Sequence, residues 1–242
     1  MGASNAVSAG GSSESWLTPV SRPARGPRVS DRVYDELAGA IRDLRLPPGA
    51  SLSETDLSVR LDVSRTPLRE ALARLADAGL IVVVPQVGTA VALISLQEVE
   101  EARFVRESLE LSAFAQVCTM PDLDISGMYA LLDLQERCHA EDDLDGFFKA
   151  DEALHSGIFA LSGYPGAWQA VQRMKIQLDR LRRLSLPEPA TIRTLIDEHR
   201  LIVDAIERRD GRRGRAVISR HARRVLKHGP ALRAQHPGYF SA

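Results

Sequence analysis

Only one stretch of this chain, residues 80–93, carries the pattern of β-structure, and everything after it reads as helix. Leu80-Ile81-Val82-Val83-Val84 and Thr89-Ala90-Val91-Ala92-Leu93 are two β-branched runs on either side of Pro85-Gln86-Val87-Gly88, the signature of a β-hairpin. Three helices are expected before it. Ser30 caps the first, in which Val33, Tyr34, Leu37, Ile41 and Leu44 repeat at helical spacing until Pro47-Pro48-Gly49 stops it. Ser53-Glu54-Thr55-Asp56 opens the second in capping-box fashion, and it runs to about Leu61. Ser64 caps the third, Pro67 is tolerated in its first turn, and Gly79 ends it. Three helices followed by a hairpin over residues 29–94 make a winged helix-turn-helix.

The remainder divides at Pro121, Asp142-Asp143, Gly163-Tyr164-Pro165, Pro187-Glu188-Pro189 and Asp210-Gly211 into six expected helices, near 95–117, 122–140, 144–162, 165–184, 188–208 and 211–235. Short connections force neighbours to alternate direction, so residues 95–235 should form an antiparallel helical bundle. Residues 1–28, rich in Ser, Gly, Ala and Pro, read as a disordered tail in which only Trp16 invites docking, and 236–242 read as a C-terminal tail. The fold class is therefore mainly α, with one small sheet. No run of about 18 apolar residues is present to span a membrane, and the start lacks the pattern of a secretory signal. The two cysteines, Cys118 and Cys138, lack a paired spacing and fit a reducing, cytoplasmic setting. A net charge of -1 gives no global pull toward nucleic acid, so DNA contact must be argued from local placement.

That placement is found on the third helix. Leu68, Ala71, Leu72 and Leu75 share one face, while Arg65, Thr66 and Arg69 lie about a third of a turn away. The helix can bury its leucines and offer two arginines and a hydroxyl, behind Ser64, to base edges and phosphates. The plainer alternative is a pair of solvated arginines held by Asp62 or Glu70. At the hairpin tip, Gln86 to Thr89, with Gly88 among them, offers backbone N–H groups.

A second group of residues points to metal chemistry. Asp151 and His155 are four apart on one expected helix and so share a face, while His199 and His221 lie on the last two. One carboxylate and three imidazoles from three helices suit a divalent first-row ion such as Zn, Ni or Mn. Against this, Asp-x-x-x-His can be a surface ion pair, and single histidines are often ordinary core or surface residues. If the ion is present, a metalloenzyme that activates water is the alternative to a sensor. Its weakness is the lack of a separate general base, since Glu152 and Glu198 adjoin ligands but point elsewhere on their helices.

Residues 46–57 (LPPGASLSETDL), 63–72 (VSRTPLREAL) and 78–80 (AGL) closely resemble the GntR family of bacterial transcription regulators. The segments Arg106-Glu107-Ser108-Leu109-Glu110, Asp151-Glu152-Ala153-Leu154-His155 and Glu198-His199-Arg200-Leu201-Ile202, with the Arg-rich helix around His221, resemble the FCD domain of its FadR-type members. The expected count of six helices suggests the VanR-like variety. The resemblance implies a homodimer, not associated with a membrane, reading a palindromic double-stranded operator through Arg65, Thr66 and Arg69. It implies a divalent metal on Asp151, His155, His199 and His221, with a small organic-acid effector beside it. Arg106 is similar to a family arginine that faces the pocket, against an intrahelical pair with Glu110, and Tyr164 stands near where relatives carry a pocket Asn. Thr55 and Val82–Val84 are uncharged where relatives often carry a basic residue. The arginines between Arg208 and Lys227 read as a solvated face flanking His221.

Overall fold

The computed structural model describes residues 16–20, 26–84 and 88–241. The chain divides into two compact units, one holding residues up to Ile41 and 50–91, the other holding Arg42–Gly49 and everything from Ala92 onward.

In the first unit, α1 (Val29–Arg42), α2 (Glu54–Leu61) and α3 (Arg65–Asp77) precede β2 (Ile81–Val84) and β3 (Gly88–Val91). A two-residue strand, β1 (Ser51–Leu52), completes a three-stranded antiparallel sheet of order β1-β3-β2, with Ser51 opposite Ala90 and Val82 opposite Ala90 from the other side. β1 is too short to carry an alternating pattern, and the sequence reading missed it. The side chains that repeat at helical spacing close the core, since Val33, Leu37, Ile41, Leu57, Leu61, Leu68 and Leu75 are all buried. Ser53 caps α2 as expected, its Oγ accepting the Asp56 N–H at 3.3 Å. Asp62 then takes a left-handed conformation that turns the chain toward α3. Two boundaries differ from expectation. α1 begins at Val29, before Ser30, which is buried in its first turn, and it ends at Arg42 because Leu44 adopts a positive φ ahead of the prolines.

The tail expectation also needs correcting. Residues 1–15 and 21–25 lie outside the described residues, but Trp16–Val20 do not trail. Leu17 is 1% exposed, the Val20 N–H donates to the Leu61 carbonyl at 2.9 Å, and the Thr18 N–H donates to Glu36 at 3.0 Å. The Arg60 guanidinium lies 4.8 Å from the centre of the Trp16 ring, a cation–π distance. Leu17→Ala is expected to lower the unfolding free energy by about 2 to 4 kcal/mol, read as a shifted denaturant midpoint. A midpoint unchanged from the parent would show that the contact carries no stability.

The second unit comprises α4 (Leu96–Val117), α5 (Ser126–Ala140), α6 (Leu144–Leu161), α7 (Pro165–Met174), α8 (Ile176–Ser185), α9 (Pro189–Glu207), α10 (Gly211–Arg224) and α11 (Gly229–Gln235). Two of the six expected helices are thus each split in two. The break between α7 and α8 falls at Lys175, whose buried ammonium reaches Asp179 and Glu152. The break after α10 passes through a 3₁₀ turn, Val225–His228, ahead of Pro230, which has no N–H to carry a helix through. Residues 236–241 are likewise not a loose tail. The Ile94 N–H donates to the Tyr239 carbonyl at 2.8 Å, the Ser241 N–H donates to the Ile94 carbonyl at 3.0 Å, and Phe240 is buried.

Phe114, Leu154, Ile158, Ile202, Val203 and Ile218 fill the centre of the bundle. α10 lies close to α4 because Gly214 has no side chain; a Cβ there would fall 1.9 Å from the Phe114 ring. Gly214 and His221 are two turns apart on the same face, so this approach also brings His221 toward α4. Two arginines about one turn apart on α8 reach Asp43 and Ala92 within the second unit. Arg183 pairs with Asp43 at 3.0 Å, and buried Arg180 donates to the Ala92 carbonyl at 2.6 Å. Among the described residues no helix is long and apolar enough to cross a membrane.

Candidate metal centre and nucleic-acid face

α6 carries Asp151 and His155 one turn apart, α9 contributes His199 and α10 contributes His221. All four are buried, and one donor atom from each lies within 4.8 Å of the others. The sequence reading brought these residues together from helical spacing and resemblance, and the fold places them at one point.

Each ligand is held from behind. His155 Nδ1 donates to Glu110 on α4, His199 Nδ1 donates to Gln135 Oε1 on α5 at 2.7 Å, and His221 Nδ1 donates to Glu198 Oε2 on α9 at 3.1 Å. Arg182 on α8 donates to Asp151 Oδ2. A neutral imidazole has one N–H; where it is committed to Nδ1, as in His199 and His221, Nε2 turns a lone pair inward. This outer layer is what fixes the tautomer and ring orientation of metal-ligating histidines. Two of the four inward atoms have no hydrogen-bond partner. Asp151 Oδ1 and His199 Nε2 are buried without a hydrogen bond and stand 3.4 Å apart, and His155 Nε2 faces His221 Nε2 at 3.3 Å. Converging lone pairs repel unless a cation lies among them, and two donors about 2.1 Å from one ion are separated by roughly 3 to 4 Å. The residues therefore fit a divalent ion.

Electrostatics agree. Burial holds the His199 imidazole well below its usual pKa, with the neighbouring His221 adding to the effect, and burial lowers His221 too. Both are thus neutral, as ligands must be. Burial alone would raise the Asp151 pKa, but the positive charge of Arg182 outweighs it and keeps the carboxylate ionised. Glu110 is held down to about 2 in the same way, by His155 and Arg106 against burial.

A small cavity, with about 30 Å³ of room, opens beside His221. Arg106 and Arg182 stand in its lining, with Leu186, Leu195 and Val225 on the walls. Arg106 forms the intrahelical pair with Glu110 and also stands in the cavity lining. Its Nε reaches Glu110 at 3.3 Å, while its buried Nη2 has no partner. Tyr164 is not brought to this cavity. It precedes α7, is 63% exposed and is absent from the lining. Glu110, Gln135 and Arg182 were not given ligand-supporting roles from sequence. Gln135 left a signal, being a polar residue one turn from Leu132 on the buried face of α5. Glu198 does point away from the ion position, yet it braces the histidine of the next helix. The expected solvated arginine face is partly paired. Arg220 and Arg224 reach Glu198, Arg223 reaches Glu107, and Arg208 and Arg213 reach Asp204.

On the first unit, Leu68, Ala71, Leu72 and Leu75 of α3 are buried while Ser64, Arg65, Thr66 and Arg69 are exposed at its start. Ser64 occupies the cap position, although its hydroxyl makes no capping bond. The Arg69 guanidinium pairs at 2.8 Å with Glu54, rather than with Asp62 or Glu70, and both partners are largely exposed. Arg65 makes no ion pair among the described residues. Gly88 is exposed with a φ of +122° at the start of β3; residues 85–87 of the expected wing tip lie outside the described residues.

Residues 29–91 match the family described as bacterial regulatory proteins, gntR family, and residues 101–224 match the FCD domain. An HTH-type transcriptional regulator in an unstable DNA locus of Streptomyces ambofaciens is 37% identical over 210 residues, covering 86% of this chain and 88% of its own. The HTH-type transcriptional repressor RspR of Escherichia coli is 30% identical over 216 residues, covering 88% and 94%. The structure of E. coli McbR/YncC shares the fold at a TM-score of 0.71 and 21% identity, covering 87% of this chain and all of that one. These relatives are regulators rather than enzymes, and the carboxylates beside the ligands agree. Glu152 is engaged by Lys175 and Arg182, Glu198 by His221, Arg220 and Arg224, so neither is free to act as a base. A recognition helix with exposed arginines, a short sheet and an FCD bundle, matched along most of its length, make this chain a member of the GntR family of DNA-binding transcription regulators.

Proposed function

We propose that this regulator is a cytoplasmic repressor. It works as a homodimer on a palindromic operator, and a small carboxylate bound beside a divalent ion in the helical unit controls it. The observation that carries this reading is the set of four inward donor atoms, each braced from behind, opening onto a cavity that holds an unpartnered guanidinium nitrogen. That RspR is named a repressor supports the sign of regulation. Asp151, His155, His199 and His221 would hold the ion, which would supply a Lewis-acidic anchor for a carboxylate oxygen. Arg106 would take the other oxygen. A ligand so held controls DNA affinity only as far as it prefers one arrangement of the protein.

Footprinting on the DNA upstream of its own gene, with ion-replete protein at fixed salt, tests the reading. Two protected half-sites about one helical turn apart, loss of protection with a carboxylate effector, and increased transcription when the gene is deleted are the expected results. Protection that ignores both ion and carboxylates would leave a DNA-binding protein without the proposed control.

A further inference from the structure

We propose that Glu54, the first residue of α2, is a positioning residue for DNA binding. It holds the Arg69 guanidinium of α3 by its Nε and leaves the two terminal nitrogens for a pair of acceptors on the duplex. Glu54 need not touch DNA itself.

The local structure brings the two residues together. Ser53 caps α2, so Glu54 sits at the helix start, where the free backbone N–H groups favour a negative side chain. The left-handed Asp62 turns the chain, α2 packs on α3, and Leu57, Leu61 and Leu68 are buried. The first residue of α2 thereby meets the second turn of α3. Arg69 Nε donates to Glu54 Oε2 at 2.8 Å, across 15 residues of sequence.

A guanidinium carries its N–H groups in one fixed plane. Glu54 engages Nε, and neither Nη nitrogen of Arg69 has a hydrogen-bond partner among the described residues. The Nη1–Nη2 edge is one that forks onto guanine O6 and N7, or onto two phosphate oxygens. A long side chain loses rotamer freedom when it binds, and one that is already held loses less.

Neither stability nor charge accounts for Glu54 as well. The two side chains are 43% and 64% exposed, and a solvated pair of this kind adds little to stability. The pair lies on the face that exposes Arg65 and Thr66, where a carboxylate repels phosphate. Charge alone thus makes Glu54 a hindrance to binding, whereas positioning has the opposite sign. Arg74, in the last turn of α3, offers a comparison. It forms a similarly exposed pair with Asp31 at 2.7 Å, and its guanidinium also lies over the Tyr34 ring at 4.4 Å.

Duplexes that the full-length protein selects from a random pool supply the probe, and fluorescence anisotropy over a salt series measures affinity. Glu54→Gln should weaken binding about 2- to 12-fold, the cost of ordering one freed long side chain. Its melting temperature and salt slope should match the parent's, because the fold and the charge on Arg69 are kept. In an Arg69→Ala background the same substitution should cost nothing, since no guanidinium is left to hold. Asp31→Asn, which frees the comparison pair, should not weaken binding. Tighter or unchanged binding by Glu54→Gln overturns the proposal, the former making Glu54 a plain repellent of phosphate. An equal loss with and without Arg69 also overturns it, as does an equal loss in Asp31→Asn.

Discussion

Replacing Arg65 and Arg69 together by alanine will remove selective DNA binding and leave the fold intact. Both side chains are exposed at the start of α3, one turn apart, while the leucines of the same helix are buried. A side chain that forks onto a base edge contributes about 1 to 3 kcal/mol of discrimination, so losing two costs about 2 to 6 kcal/mol, or roughly 30-fold to 10⁴-fold in affinity. Stability should move little, by about 0.5 kcal/mol for surface changes of this kind, because the Arg69–Glu54 pair that disappears is solvated. Fluorescence anisotropy with operator and scrambled duplexes, repeated over a salt series, separates the roles. A base-reading arginine changes the ratio between the two duplexes, whereas a phosphate contact weakens both and flattens the salt slope. An unaltered ratio in the double variant would place the reading surface elsewhere.

The second large effect concerns the buried ligands. Purified protein should contain one divalent ion per chain, and a chelator should lower its melting temperature by about 8 to 16 °C. An ion at a thousand times its Kd contributes about 4 kcal/mol, and in a chain of this size each kcal/mol moves the midpoint by about 2 to 4 °C. His199→Ala should lose the ion and with it all sensitivity to chelator. Gln135→Leu keeps all four ligands but takes away the acceptor behind His199, and should weaken ion affinity about 10- to 100-fold. Elemental analysis and thermal melts give both quantities. Protein that carries no ion after metal-replete purification, and melts identically with chelator, would mean that the four donors converge for another reason.

How far the sequence could be read depended on the distance over which each feature is encoded. Ser53, the Leu68–Leu75 face and the Asp151–His155 pair are local, because a cap or a helix face is written within two turns, and all three are found where expected. The outer layer of the ion site is written across 45 residues for Glu110 and His155, 64 for Gln135 and His199, and 31 for Arg182 and Asp151, so no window along the chain shows it. The break at Lys175 has no Gly or Pro to announce it. The break before α11 falls at Gly229-Pro230, a local signal that the expected helix over 211–235 runs straight through. Leu17 has only Trp16, Pro19 and Val20 as apolar neighbours, and so short a cluster has no period from which to infer burial.

α8 joins three of these features in one stiff element. The guanidinium that braces Asp151 and those that hold Asp43 and the Ala92 carbonyl belong to Arg182, Arg183 and Arg180, within about one helical turn. One turn of helix thus carries the contacts to Asp151, Asp43 and the Ala92 carbonyl, so a substitution that unwinds α8 there would disturb all three at once.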